Sequence, residues 1–226
     1  MAVKRMVVAF GVGCMLVFAS GGLDRGRVEV RNTQHVDFQA EGTVVIKNSI
    51  GELRVDAWDQ PNVEITITKS TKGDYEPDRH DEGLRKLDKV RVSAERHGAE
   101  LAISTESAPG VDLEYAIKVP RKTHLEVRHR SGEVHVDGLL GEVNIRARQG
   151  AITLHLPEKG SYAIDAKSDI GTVFSDFPGR EKRVWLLGQK MNESANGSQN
   201  LHLRIGYGDI LILRERVPAP LTARIQ

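Results

Sequence analysis

The sequence predicts an all-β protein, built as a right-handed β-solenoid or β-helix-like stack of short strands, with a twisted β-sandwich as the alternative. Three observations predict it. A unit recurs in which a glycine is followed by apolar residues two and four positions later: HRSGEVHV, GLLGEVNI and ARQGAITL place Gly132, Gly141 and Gly150 nine residues apart, with looser copies around Gly51, Gly171 and Gly208. A short fixed period of strand plus turn marks a chain whose units bury their apolar faces on one another. Nearly every apolar run alternates at period two, the signature of a strand with one buried face. No segment after the N-terminal run carries the spacing of a helix of ordinary length.

Taken in order, residues 1–19 have the three-part pattern of a secretory signal peptide: Lys4 and Arg5, an uncharged run over 6–19, then small residues from Ala19 to Gly22. The run is shorter than the ~20 residues of a spanning helix, so cleavage after Ala19 is expected; an uncleaved segment would leave a membrane anchor. Cys14, the one cysteine, lies in this run without the Leu-Ala-Gly-like triplet of a lipoprotein signal. The mature chain then has no thiol, which excludes disulfides, thiolate zinc sites and a cysteine nucleophile. Residues 20–39 form a leading segment, 40–213 the strand-repeat domain and 214–226 a tail with two prolines.

Within the domain, Val44 and Ile46, Leu53 and Val55, then Val63, Ile65 and Ile67 alternate, with Gly51 and the turn at 59–62 between them. The charged stretch 73–89 breaks the pattern. Leu84 and Leu87 allow one helical turn there, but the economical reading is a solvated insertion. Residues 90–103 read as a hairpin turning at His97-Gly98. Leu113 to Val119 alternate up to Pro120, the glycine units follow to about Phe177, and two or three closing strands surround a polar loop at 192–200.

The chain has 32 basic and 31 acidic residues. With so small a net charge, and few aromatics, no overall field or base-stacking surface favours nucleic acid or an anionic membrane.

The stretches IKNSIGELRVDAWDQPNVEITITK and LEYAIKVPRKTHLEVRHRSGEVHVDGLLGEVNIRARQGAIT, with the hairpin between them, span roughly residues 40–177. They resemble a bacterial family of adhesin-like β-strand-repeat proteins of unknown function, related to the auto-transporter adhesin head (GIN) domain. That resemblance implies an extracytoplasmic protein with a solenoid-like fold, and brings no catalytic residues with it. The segments 73–89 and 178–204 depart from the family pattern.

Few side chains point to chemistry. His124, His129, His135, His155 and His202 show no convergent metal spacing and read as surface histidines, so no metal or cofactor is expected. Glu133 and Glu142 face outward and would approach each other if successive nine-residue coils stack in register, which is the separation logic of a glycosidase pair. The interleaved Arg128, Arg130, Arg146 and Arg148 instead suggest a salt-bridged surface ladder. Trp58, with Asp59 beside it, suits the end of the core better than a sugar platform. Trp58, Asp59, Glu133, His135, Glu142 and Asn144 are the candidate ligand or partner surface. The expected role is non-enzymatic adhesion or scaffolding in the envelope or outside the cell, with an envelope protein or a glycan as partner and self-association through bare strand edges. A polysaccharide-binding or polysaccharide-degrading protein, and a membrane-anchored envelope-stress module, are the alternatives.

Overall fold

A computed structural model describes residues 6–8, 25–39, 41–158, 160–184, 188–192 and 197–215. The predicted signal peptide lies outside these residues except for β1 (Met6–Val8), and the tail lies outside them beyond Glu215. The chain continues through β2 (Gly26–Asp37), β3 (Thr43–Ile50), β4 (Glu52–Trp58) and β5 (Asn62–Tyr75) to α1 (His80–Leu87). The hairpin β6 (Arg91–His97) and β7 (Glu100–Glu106) follows, then β8 (Val111–Pro120), β9 (His124–Asp137) and β10 (Val143–Pro157). β11 (Tyr162–Ile170), β12 (Val173–Ser175), β13 (Arg180–Val184), β14 (Gly188–Asn192) and β15 (Gln199–Glu215) complete it.

The strands make one mixed sheet that folds into two limbs. The first limb runs β1-β6-β7-β3-β9-β10-β15-β11-β14-β13, and its centre from β7 to β11 is parallel. The second runs β2-β5-β8-β4, then uses the later halves of β9, β10 and β15, and ends on β12. β9, β10 and β15 therefore belong to both limbs. All-β architecture is what the alternation predicts. The strand order departs from a regular solenoid, where each coil stacks on the next in sequence: β5 to β8 intervene before β9, and β15 inserts between β10 and β11.

The fold between the limbs lies at the glycines. Gly51, Gly132, Gly150, Gly208 and Gly171 all have positive φ, from 97° to 139°. Gly132, Gly150 and Gly208 are register partners on neighbouring strands. A Cβ on Gly150 would collide with the carbonyl oxygen of Gly132, and one on Gly208 with that of Gly150. The column therefore needs glycine twice over, for conformation and for backbone approach. The bend also resets the alternation. Val127 and Val134 lie an odd number of residues apart, so a straight strand would send them to opposite faces. Both are fully buried, because the corner between them turns both limbs toward one interior.

The stacking offset is 18 residues, not nine. Leu125 pairs with Val143 and Gly132 with Gly150, while Gly141 sits in the connection between β9 and β10. Each nine-residue unit is half a rung. One continuous apolar core runs from Val28 to Ile212 between the limbs. It holds two buried polar pairs, Thr105–Tyr115 at 2.8 Å and Ser49–His129 at 2.9 Å.

The stretch 73–89 is corrected from a solvated insertion. It contains α1, whose Leu87 is 1 % exposed and whose Leu84 packs on the core. Gly83 lies against Val28 and Tyr75, which fastens the helix to β2 and β5. The closing segment contributes three strands, and β15 extends into the first residues of the expected tail.

Candidate functional site

In-register stacking turns outward side chains into columns that run across the strands. On the outer face of the first limb one column is cationic. Lys47, Arg128, Arg146, Arg204, Lys167 and Lys190 are successive register partners on β3, β9, β10, β15, β11 and β14. Neighbouring strands are about 4.8 Å apart, so the row spans about 24 Å. Arg130 and Arg148 add a second pair, standing between the paired positions His129–Ala147 and Ser131–Gln149. Like charges directly opposite one another destabilise a sheet, so this face carries a cost that packing does not explain.

Among the described residues, carboxylates neutralise Arg128 and the cations from Arg204 onward, and leave Lys47 at one end and Arg146 near the centre unpaired. Glu126 pairs with Arg128 at 3.0 Å and Asp169 with Lys167 at 2.6 Å. Asp165 holds Arg204 and lies 3.2 Å from His202 and 3.8 Å from Lys190. Burial alone would raise the Asp165 carboxyl; Arg204, Lys190 and His202 outweigh it and hold it below the usual range. His202 is pushed down by burial, and further by Arg204 and Arg146 against the pull of Asp165. Arg146, Arg148, Arg130 and Lys47 have no ion-pair partner among the described residues. An open cleft of about 490 Å³ follows the row between Arg146, Lys167, His202 and Arg204.

The outer face of the second limb is mixed in sign. Its central column reads His35, Glu64, Lys118, Asp56, Asp137, His155. Arg54 bridges Asp56 at 3.0 Å and Asp137 at 3.1 Å, and His155 reaches Asp137 at 2.5 Å. Burial raises the Asp56 carboxyl, and the hydrogen-bonded Asp137 beside it adds to this against the effect of Arg54. Asp56 and Asp137 are register partners bridged by one guanidinium, an arrangement that leaves no room between the carboxylates for a sugar as a glycosidase pair requires. Among the described residues no three His, Asp or Glu side chains converge as a metal site. Toward β12 this face becomes apolar, with Phe174 53 % exposed opposite Leu211 on β15.

The six expected surface residues do not form one site. Trp58 is half-buried at the end of β4, where its Nε1 donates to the Asn62 carbonyl at 2.9 Å and Lys118 lies 5.5 Å from the ring centroid. Asp59 is exposed and accepts from Arg121 at 2.6 Å; that bond holds its carboxyl below the usual range. Glu133 and His135 hydrogen-bond to each other at 3.1 Å, and His135 stands opposite Thr153 and Arg54. Glu133 faces Ala151, not Glu142. Glu142 lies in the β9–β10 connection, its backbone N–H against His124 Nδ1. The expected approach of Glu133 to Glu142 is thus corrected by the 18-residue offset. Asn144 is on the other limb, between Glu126 and His202 and beside the cationic row, with a buried side-chain oxygen that lacks a partner. His129 is corrected from a surface histidine to a core one, 3 % exposed and pushed down to about 4 by burial.

No protein-family profile and no curated protein matches the sequence. Among solved structures, a "putative cell adhesion protein" from Clostridium sporogenes is similar at 14% identity and TM-score 0.46, over 82% of this chain and 100% of that one. A "putative adhesin" from Bacteroides fragilis is similar at 9% identity and TM-score 0.31, over 81% of this chain and 97% of that one. No helix of the described residues is long and apolar enough to cross a membrane.

Proposed function

We propose that this chain is an exported, non-enzymatic β-repeat protein that binds at the cell envelope or outside the cell, in an adhesion or scaffolding role. The observation that carries the reading is the pair of ordered outer faces, on which parallel register aligns polar side chains into continuous columns. Such a face presents many contacts already ordered by the core, so little side-chain freedom is lost on binding. We read the in-register part, β3 with β4, β9, β10 and β15, as a short solenoid-like stack flanked by antiparallel strands. The N-terminal pattern of Lys4, Arg5 and an uncharged run supports export. The partner is an envelope protein or a glycan. The outer edge of β12, which among the described residues pairs only with β15 and has its Val173 N–H donated to the Gln189 side chain, lies beside exposed Phe174 and Ile170 and is the place for self-association.

The test is expression of the full chain in a bacterial host, followed by intact mass, cell fraction and co-sedimentation of the purified protein with envelope material. The expected product lacks about the first nineteen residues, is found in the periplasm or medium, and sediments with envelope. Full-length protein in the inner membrane would move the reading to an anchored module. Release of new sugar ends from envelope polysaccharide would move it to an enzyme.

A further inference from the structure

We propose that the outer face of the first limb binds a linear anionic glycan, a sugar chain carrying carboxylate or sulfate groups, laid along the cationic row across the strands. The inference rests on the reading of the protein as an extracytoplasmic binder and names the chemistry of its ligand.

The row follows the hydrogen-bonding direction of the sheet, parallel from β3 to β11 and antiparallel at β14, and its members are register partners on six strands. Its cations are a collective feature: the six positions are scattered from residue 47 to residue 204 and come together only in the folded sheet. The bare centre, Arg146 with Arg148 and Arg130 beside it, is where an incoming anion meets cations not already paired. Burial lowers the basicity of His202 first, and Arg204 and Arg146 lower it further, in keeping with the cations beside it.

A glycan fits better than a nucleic acid for two reasons. Flanking the cations are oxygen acceptors, Glu126, Asp165 and Asp169. They suit a chain that brings hydroxyl donors as well as anions and repel one that brings phosphate alone. Among the described residues the columns of this face also carry no aromatic ring, whereas single-stranded nucleic acids are held on successive stacking platforms. Among the described residues the exposed ring nearby is Tyr207, a single residue at the corner.

The test compares purified protein with R128Q/R146Q and, as control, R85Q/K89Q, whose exposed cations lie on and beside α1. The probes are heparin, polygalacturonate, neutral dextran and oligothymidylate of matched charge. Wild-type protein is expected to bind heparin or polygalacturonate, to ignore dextran, and to weaken as salt rises. In R128Q/R146Q the affinity should fall about tenfold or more at low salt, with a salt slope smaller by roughly two, as counterion release per lost cation requires. The control should stay within about twofold on the same grounds. Arg146 is exposed with cations for neighbours, and the exposed Arg128–Glu126 pair contributes at most about 1 kcal/mol, so the variant should melt within a few degrees of wild type, which separates a binding defect from a folding one. Affinity for defined oligosaccharides should rise with length and level off once the chain spans about 24 Å.

Equal losses in both variants would show diffuse charge attraction and overturn the proposal. So would oligothymidylate binding as tight as the glycans. Envelope co-sedimentation that persists in a protein deaf to both glycans would overturn this proposal and leave the binding role standing. Loss of both would remove the binding role itself.

Discussion

Acidification should weaken this protein, and the buried His129 should contribute a separable part of the loss. The imidazole is 3 % exposed, its Nδ1 is 2.9 Å from the Ser49 hydroxyl, and its Nε2 has no hydrogen-bond partner among the described residues. Its register neighbour on β10 is the methyl group of Ala147. Burial holds its pKa at about 4, below the ordinary 6.5. The unfolded chain therefore takes up a proton at a pH where the folded chain does not. Stability is complete above the unfolded value and falls as pH drops toward the folded one. At 1.36 kcal/mol per unit, the loss is about 2 kcal/mol by about pH 5 and about 3 kcal/mol by about pH 4. Below that both states are protonated and the dependence ends. Urea unfolding at a series of pH values reads this directly, with a midpoint shift of roughly 1 M between about pH 7.5 and pH 5. The double variant His129→Leu/Ser49→Ala removes the titrating group and its hydroxyl partner together. Its stability should change less over the same range, by the amount calculated above. Parallel curves for the variant and the wild type would refute the reasoning, since the histidine would then titrate alike in both states.

Three further outcomes follow from the packing. Gly150→Ala meets both a positive φ and the Gly132 carbonyl, and should cost about 3 kcal/mol or more in thermal or urea unfolding; Gly98→Asn, at a hairpin turn with nothing within 4 Å, should be near neutral. Leu87→Ala should cost about 2–5 kcal/mol if α1 is part of the core, and a near-zero effect would restore the solvated-insertion reading. Arg54→Met removes the cation that bridges Asp56 and Asp137. The Asp56 carboxyl, already raised, should then titrate higher still by carbon-13 shift, and an unchanged or lower value would refute the bridge.

The strands were legible because alternation is a direct consequence of one buried face, and Val63, Ile65 and Ile67 are all buried as that rule requires. The glycines were legible as turns. The offset was not. Gly132, Gly141 and Gly150 look equivalent in sequence, yet only Gly132 and Gly150 share a column, because the phase resets at those two and the chain crosses between limbs at Gly141. Everything that depended on the nine-residue stacking went wrong with it, including the pairing of Glu133 with Glu142. The cationic row was hidden for the same reason: Arg128 and Arg146 are 18 residues apart, and Arg204 and Lys167 arrive through an insertion of β15 that no local pattern announces. An even net charge concealed a sharply uneven distribution. The helical turn at Leu84 and Leu87 was legible but its docking was not, because a single fully buried leucine, Leu87, fastens a helix that is otherwise charged.

The glycine column has a consequence for how such a chain can lengthen. Since one strand serves both limbs, duplication of an 18-residue segment such as β9 with its connection adds one rung to each face and one glycine to the corner, with every neighbour still in register. Duplication of nine residues instead sets a connection against the corner and turns a strand's apolar side chains toward water. Growth is therefore quantised, and each permitted step extends the outer rows by one strand spacing, about 4.8 Å. The fold behaves as a ruler whose reach is written in the number of its glycines.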